Sequence, residues 1–133
     1  MNAFLNVLEK NAIKKEILRR EKITTLQVNL GNLCNQNCRH CHIEASPLGK
    51  DIMQRKTIDD IIKFLSSSKI KTLDITGGAP ELNPSFDYFI RTARNLVDEL
   101  IVRSNLTVFF EPGKEYFPEF FKDYKAHLIC SLP

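Results

Sequence analysis

Cys34, Cys38 and Cys41 stand in the stretch Cys34-Asn35-Gln36-Asn37-Cys38-Arg39-His40-Cys41-His42, a C-x3-C-x2-C spacing. Thiols this close in sequence point to one metal centre. Three thiolates on a compact loop can hold three irons of a cubane, where most [4Fe-4S] sites use four cysteines, and the fourth iron is then open for chemistry. Zinc is the alternative: the three cysteines with His40 or His42 would make a Cys3His site, although the spacing is unusual for a zinc knuckle. A disulfide framework is disfavoured. The first residues hold no apolar stretch of signal-peptide length, which predicts a cytoplasmic chain whose thiols are kept reduced for metal or redox work.

Loop chemistry of this kind needs a folded frame, and the composition supplies one. The chain is 43% hydrophobic and 26% charged, ordinary values for a soluble domain with a real core. Lys plus Arg number 19 against 16 Asp plus Glu, and this slight excess forms no long basic run, so nucleic acid is not an expected partner. No stretch approaches the ~18 apolar residues of a membrane span.

The frame reads as alternating strands and helices. Leu5, Leu8, Ala12, Ile13 and Ile17 recur at helical spacing, predicting an amphipathic helix over 3–20 in an N-terminal segment, 1–22. Leu26, Val28 and Leu30 alternate with polar residues, the period of a strand, and residues 32–55 follow as an aperiodic loop holding the three cysteines. Thr57 and Asp60 suggest a capping-box start for a helix through Leu65. A second strand over 71–76 breaks at Gly77-Gly78, and Asn83-Pro84 is expected to cap a helix carrying Phe86, Phe89, Ile90, Ala93 and Leu96. A third strand over 100–105, a turn at Glu111-Pro112-Gly113, a short helix near 115–124 and a fourth strand over 126–132 complete the pattern.

Such alternation predicts an α/β fold of right-handed βαβ units, with four parallel strands and helices on the outer face. Ligands in these folds lie at strand C-terminal ends, where Cys34, Gly77 and Asn105 fall. Residues 23–133 then form the core domain, a barrel or a doubly wound sheet, and its abrupt end after a strand suggests a fold lacking later units. Strand alternation turns Cys130 away from Ser131, which predicts a buried structural thiol.

The cysteine spacing, with aromatic His40 before the third cysteine, resembles that of radical SAM enzymes (SAM, S-adenosylmethionine). Several segments extend the likeness: LGNLCNQ at 30–36, TGGAPELNP at 76–84, RSNLTV at 103–108, EPG at 111–113 and SLP at 131–133. Together they resemble the arsenosugar-biosynthesis radical SAM proteins, also described as radical SAM proteins with a cysteine-rich C-terminal domain. The resemblance implies the N-terminal portion of a partial (β/α)6 barrel, a [4Fe-4S] cluster on Cys34, Cys38 and Cys41, and bound SAM. It also implies a 5′-deoxyadenosyl radical used to adenosylate a methylated arsenical, with an electron donor such as ferredoxin or flavodoxin. His40, Thr76, Gly77, Gly78, Asn105 and Ser131 are its implied SAM-site residues, while most of the superfamily has Glu where this chain has Ala79. Two other readings stand beside it, a zinc-binding interaction module and a truncated chain that binds cluster and SAM without turnover.

Overall fold

The computed structural model describes residues 22–131, together with 7, 10 and 11. The amphipathic helix expected over 3–20 therefore lies almost wholly outside the described residues.

Four strands form one parallel sheet in the order β1-β2-β3-β4: β1 Thr25–Asn29, β2 Thr72–Thr76, β3 Glu99–Ser104 and β4 His127–Cys130. Successive parallel strands need crossovers, and helices α1 Arg55–Ser67, α2 Phe86–Ala93 and α3 Phe117–Asp123 supply them. The expected fold class, α/β with parallel strands and covering helices, is the one observed.

The two faces of the sheet differ in chemistry. Val28, Leu73, Ile75, Leu100 and Val102 are buried with Ile58 and Leu65 of α1, Phe86, Phe89 and Ile90 of α2, and Phe117 and Phe121 of α3. Burial of each such side chain stabilises the fold by about 1.5–3 kcal/mol before entropy is counted. Phe86 meets Phe117 edge-on at 5.7 Å between ring centroids, locking the second crossover to the third. The opposite face carries Gln27, Asp74 and Arg103. In register Gln27 is beside Asp74, and a polar stripe on a parallel sheet marks the side that faces a ligand cavity rather than a core.

Three local expectations are corrected. Helix α1 starts at Arg55 with Gln54 as its N-cap, not at Thr57. The entry is set by tertiary pairing: Met53 N–H donates to Leu30 O, and Gly31 bridges Ile52, so the chain leaves the sheet edge already turned into the helix. Asn83 does not cap α2, which begins after Ser85. Its Oδ1 accepts from Ser85 N–H at 2.8 Å, and its Nδ2 donates to Leu30 O and Met53 O, fastening the approach to α2 onto the end of β1. Cys130 is exposed, not buried, because β4 pairs only with β3 and no described residue covers its end. Among the described residues no helix is long and apolar enough to cross a membrane.

Candidate functional site

The cysteine loop leaves β1 and is tied down at its base by one side chain. Asn32 Nδ2 donates to Asp51 Oδ2 at 2.8 Å, while its Oδ1 accepts from Asp51 N–H at 2.9 Å. Backbone bonds from Cys34 N to Ser46 O and from Ser46 N to Asn32 O close the loop a second time. Residues 34–45 are thereby held over the C-terminal ends of β1, β2 and β3.

The loop rests on the glycine turn after β2. Gly78 N–H donates to Gly31 O and Ala79 N–H to Leu33 O, each at 2.9 Å. A Cβ at position 78 would lie 2.4 Å from Leu33 O and 2.9 Å from Cys34 Cβ, so a hydrogen is the only side chain that lets the turn pass beneath the first cysteine.

Two of the three thiols receive backbone donors. Gln36 N–H points to Cys34 Sγ at 3.4 Å and Ala45 N–H to Cys41 Sγ at 3.3 Å. Burial pushes the Cys34 thiol above its ordinary pKa. Hydrogen bonds from Gln36 and Asn105 oppose that rise, and the neighbouring Cys38 and Cys41 add to it. A cationic metal centre would reverse this balance by favouring the thiolates.

All nine site residues picked out from the sequence, Cys34, Cys38, His40, Cys41, Thr76, Gly77, Gly78, Asn105 and Ser131, line one cavity of about 600 Å³. That is the size range of small-molecule sites. Its walls also include Gln27, Asn29 and Arg103, which the sequence reading left without a role. Arg103 Nε and Nη2 each lie 2.9 Å from a carboxylate oxygen of Asp74, and Gln27 Nε2 donates to Asp74 Oδ2 at 2.8 Å. The period-2 pattern of β1 and β3 was the available signal, since Gln27 and Asn29 alternate with Leu26 and Val28, and Arg103 follows Val102 on the face opposite Leu100 and Val102.

A second network clamps the loop from the side of β3. Asn35 Nδ2 donates to Thr107 Oγ1 and Glu111 Oε1, Gln36 Nε2 donates to Thr107 Oγ1, and Asn105 Nδ2 donates to Asn35 Oδ1. Leu106, at φ 60°, makes the left-handed step that lets Asn105 and Thr107 face the same partners.

The donor set fits an iron–sulfur cluster: three thiols on one loop, with N–H groups directed at two of the sulfurs and a cavity beside them. Among the described residues no group of three His, Cys, Asp or Glu side chains converges closely enough to hold a single metal ion.

Comparison with known proteins agrees with this geometry. The chain is 31% identical over 93 residues to a protein named as a probable GTP 3',8-cyclase from Pyrococcus abyssi (strain GE5 / Orsay), covering 70% of this chain and 30% of that relative. A Pyrococcus horikoshii protein of the same name is 30% identical over 88 residues, 66% of this chain and 28% of the relative. YydG of Bacillus subtilis (strain 168), named for peptide biosynthesis, is 30% identical over 110 residues, 81% of this chain and 34% of its own length. In each case the matched region is about a third of the relative or less. Residues 28–129, from within β1 to within β4, match the Radical SAM superfamily, and with the cysteine loop and most of the cavity's lining residues inside that span the chain belongs to that superfamily.

Proposed function

We propose that Cys34, Cys38 and Cys41 hold a [4Fe-4S] cluster with one iron left open for SAM, and that the chain serves adenosylation of a methylated arsenical in arsenosugar biosynthesis. The observation that carries the cofactor reading is the single cavity onto which the three cysteines, His40, the Thr76-Gly77-Gly78 turn, Asn105 and Ser131 all open. When bound, cluster and SAM supply one-electron cleavage of the sulfonium and hence a 5′-deoxyadenosyl radical. The chain's own residues bind and orient. The glycine turn brings β2 against the cysteine loop, Ile43 and Ala45 give the cavity an apolar wall, and Arg103, held by Asp74, lines the same cavity.

Support for the arsenical is the ordered likeness of LGNLCNQ, TGGAPELNP, RSNLTV and EPG to the arsenosugar group. The relatives carry names as different as a GTP cyclase and a peptide biosynthesis protein, so what is common to them is the radical chemistry rather than a substrate. The short reach along those relatives is in keeping with residues 23–133 as one part of a longer barrel. Electrons would come from a ferredoxin- or flavodoxin-like donor. A cytoplasmic setting, where thiols are kept reduced, suits three cysteines that serve as metal ligands.

Anaerobic reconstitution tests the reading. The expected product has about four irons and four sulfides per chain, and Cys34→Ala, Cys38→Ala or Cys41→Ala each abolish assembly while Cys130→Ala does not. One tightly held zinc and no sulfide would sink it. Incubation of the loaded protein with dithionite, SAM and dimethylated trivalent arsenic, followed by mass spectrometry for 5′-deoxyadenosine and an adenosylated arsenical, tests the substrate.

A further inference from the structure

Asn105 directly follows β3 beside the cysteine loop and is buried, 8% exposed. A primary amide has two N–H donors and an oxygen with two lone pairs. In Asn105 all four are engaged within the protein. Nδ2 donates to Asn35 Oδ1 at 2.9 Å and lies 3.5 Å from Cys34 Sγ, while Oδ1 accepts from Thr107 Oγ1 at 3.0 Å and from Val108 N–H at 3.2 Å.

The orientation of this amide is fixed by logic that starts at a charge. Glu111 Oε1, a carboxylate oxygen, can only accept, so the group of Asn35 that faces it at 3.1 Å is the NH2. Asn35 therefore turns its oxygen to Asn105, which must answer with its own NH2. Turning Asn105 over would set its NH2 against the Val108 N–H and its oxygen against the Asn35 oxygen, two repulsive contacts in a buried place. The remaining N–H of Asn105 is thus aimed at Cys34 Sγ, which also receives the Gln36 N–H.

We propose that Asn105 is a positioning residue that donates to the Cys34 sulfur and raises the reduction potential of the cluster, and that it does not contact SAM. The proposal rests on the reading of Cys34 as a cluster ligand. Hydrogen bonds to cluster sulfurs stabilise the more negative, reduced state, and cluster potentials respond to them. An amide with no unused donor or acceptor has nothing to offer SAM unless the clamp on the loop is broken.

The test compares two variants in the reconstituted 133-residue chain. Asn105→Asp keeps an oxygen for Thr107 and Val108 but loses both N–H donors. Thr107→Val weakens the same clamp without touching the donor to sulfur. The midpoint potential is read by redox titration with detection of the reduced cluster by electron paramagnetic resonance. For Asn105→Asp the ratio of reduced to oxidised cluster at a fixed potential should fall about tenfold, a shift of roughly 59 mV for one electron, the lost donor and the added charge acting in the same sense. Thr107→Val should unfold at lower urea yet keep the wild-type potential. Equal potentials for Asn105→Asp and wild type, or the same shift in both variants, would overturn the proposal.

If Asn105→Asp takes up no cluster, wild type decides. With asparagine labelled by 15N in its side-chain amide, electron–nuclear double resonance of the reduced cluster should show a coupled 15N, and its absence would overturn the donor role. Failure of wild type to assemble any cluster is a different outcome, which removes the ligand assignment and the donor role with it.

Discussion

Arg103 on β3 reaches across the polar face of the sheet to Asp74 on β2 and holds both carboxylate oxygens, with Nε 2.9 Å from Oδ1 and Nη2 2.9 Å from Oδ2. Asp74 is only 5% exposed. Burial alone would raise its pKa, but the hydrogen bonds from Arg103 and Gln27 and the Arg103 charge outweigh that, so the carboxyl titrates below its ordinary range. A carboxyl with a depressed folded-state pKa contributes stability that is complete above its unfolded value, about 3.9, and is lost as pH falls through the folded value. Asp74→Asn should therefore cost about 1–3 kcal/mol near neutrality. The deficit should shrink below about pH 4. Urea unfolding at pH 7 and pH 3 checks this, and an equal deficit at both would mean that the pair does not set the acid response.

Glu81 makes the opposite prediction. It is fully buried in the 3-10 turn Pro80–Leu82, and neither carboxylate oxygen has a hydrogen-bond partner among the described residues. Burial raises its pKa, and the nearby Ser104 hydroxyl and Lys114 ammonium only partly oppose the rise. Lys114 Nζ in fact donates to the backbone oxygen of Glu81. The raised value means that folding is favoured most below the unfolded pKa and loses ground as pH climbs toward the folded one. Glu81→Gln should stabilise the chain by about 1–3 kcal/mol at pH 8, by removing the cost of an unpaired buried acid. Little change is expected at pH 4. Loss of stability at pH 8 would show that the ionised carboxylate has a partner in solution.

Gly78→Val should remove the iron centre as well as SAM binding. The added Cβ alone meets Leu33 O at 2.4 Å and Cys34 Cβ at 2.9 Å, both parts of the cysteine loop rather than of a ligand. Overpacking of this kind costs about 1–3 kcal/mol or more, and here the strain falls on the first cysteine. Iron content after reconstitution is the measurement. A full complement of iron with weakened SAM affinity would instead place the glycine's role at the ligand.

The cysteine triplet, the alternation of strands with helices and the glycine turn were legible because each is written locally, in spacing, in period and in a Gly-Gly break. What escaped was decided by contacts distant in sequence. Thr57 looked like a cap, but the pairing of Met53 with Leu30 had already begun the helix at Arg55. Asn83 looked like a cap for α2, yet its amide is spent on two carbonyls of other segments. Cys130 alternates onto the helix side of its strand as expected, but alternation says which face a residue takes and not whether anything covers it. The asparagines and threonine at 35, 105 and 107 read individually as turn residues. Their joint role appears only when the loop after β1 meets the loop after β3.

The clasp between Asn32 and Asp51 bears on how the cofactor would be acquired. It closes the base of the cysteine loop without any metal, and the Cys34–Ser46 backbone bond shortens the span left to be ordered to residues 34–45. Closure entropy grows slowly with length, about 0.6 kcal/mol for each doubling, but the larger saving is in backbone freedom already surrendered when the sheet forms. Ordering entropy met by these bonds during folding is entropy that cluster binding would not have to supply.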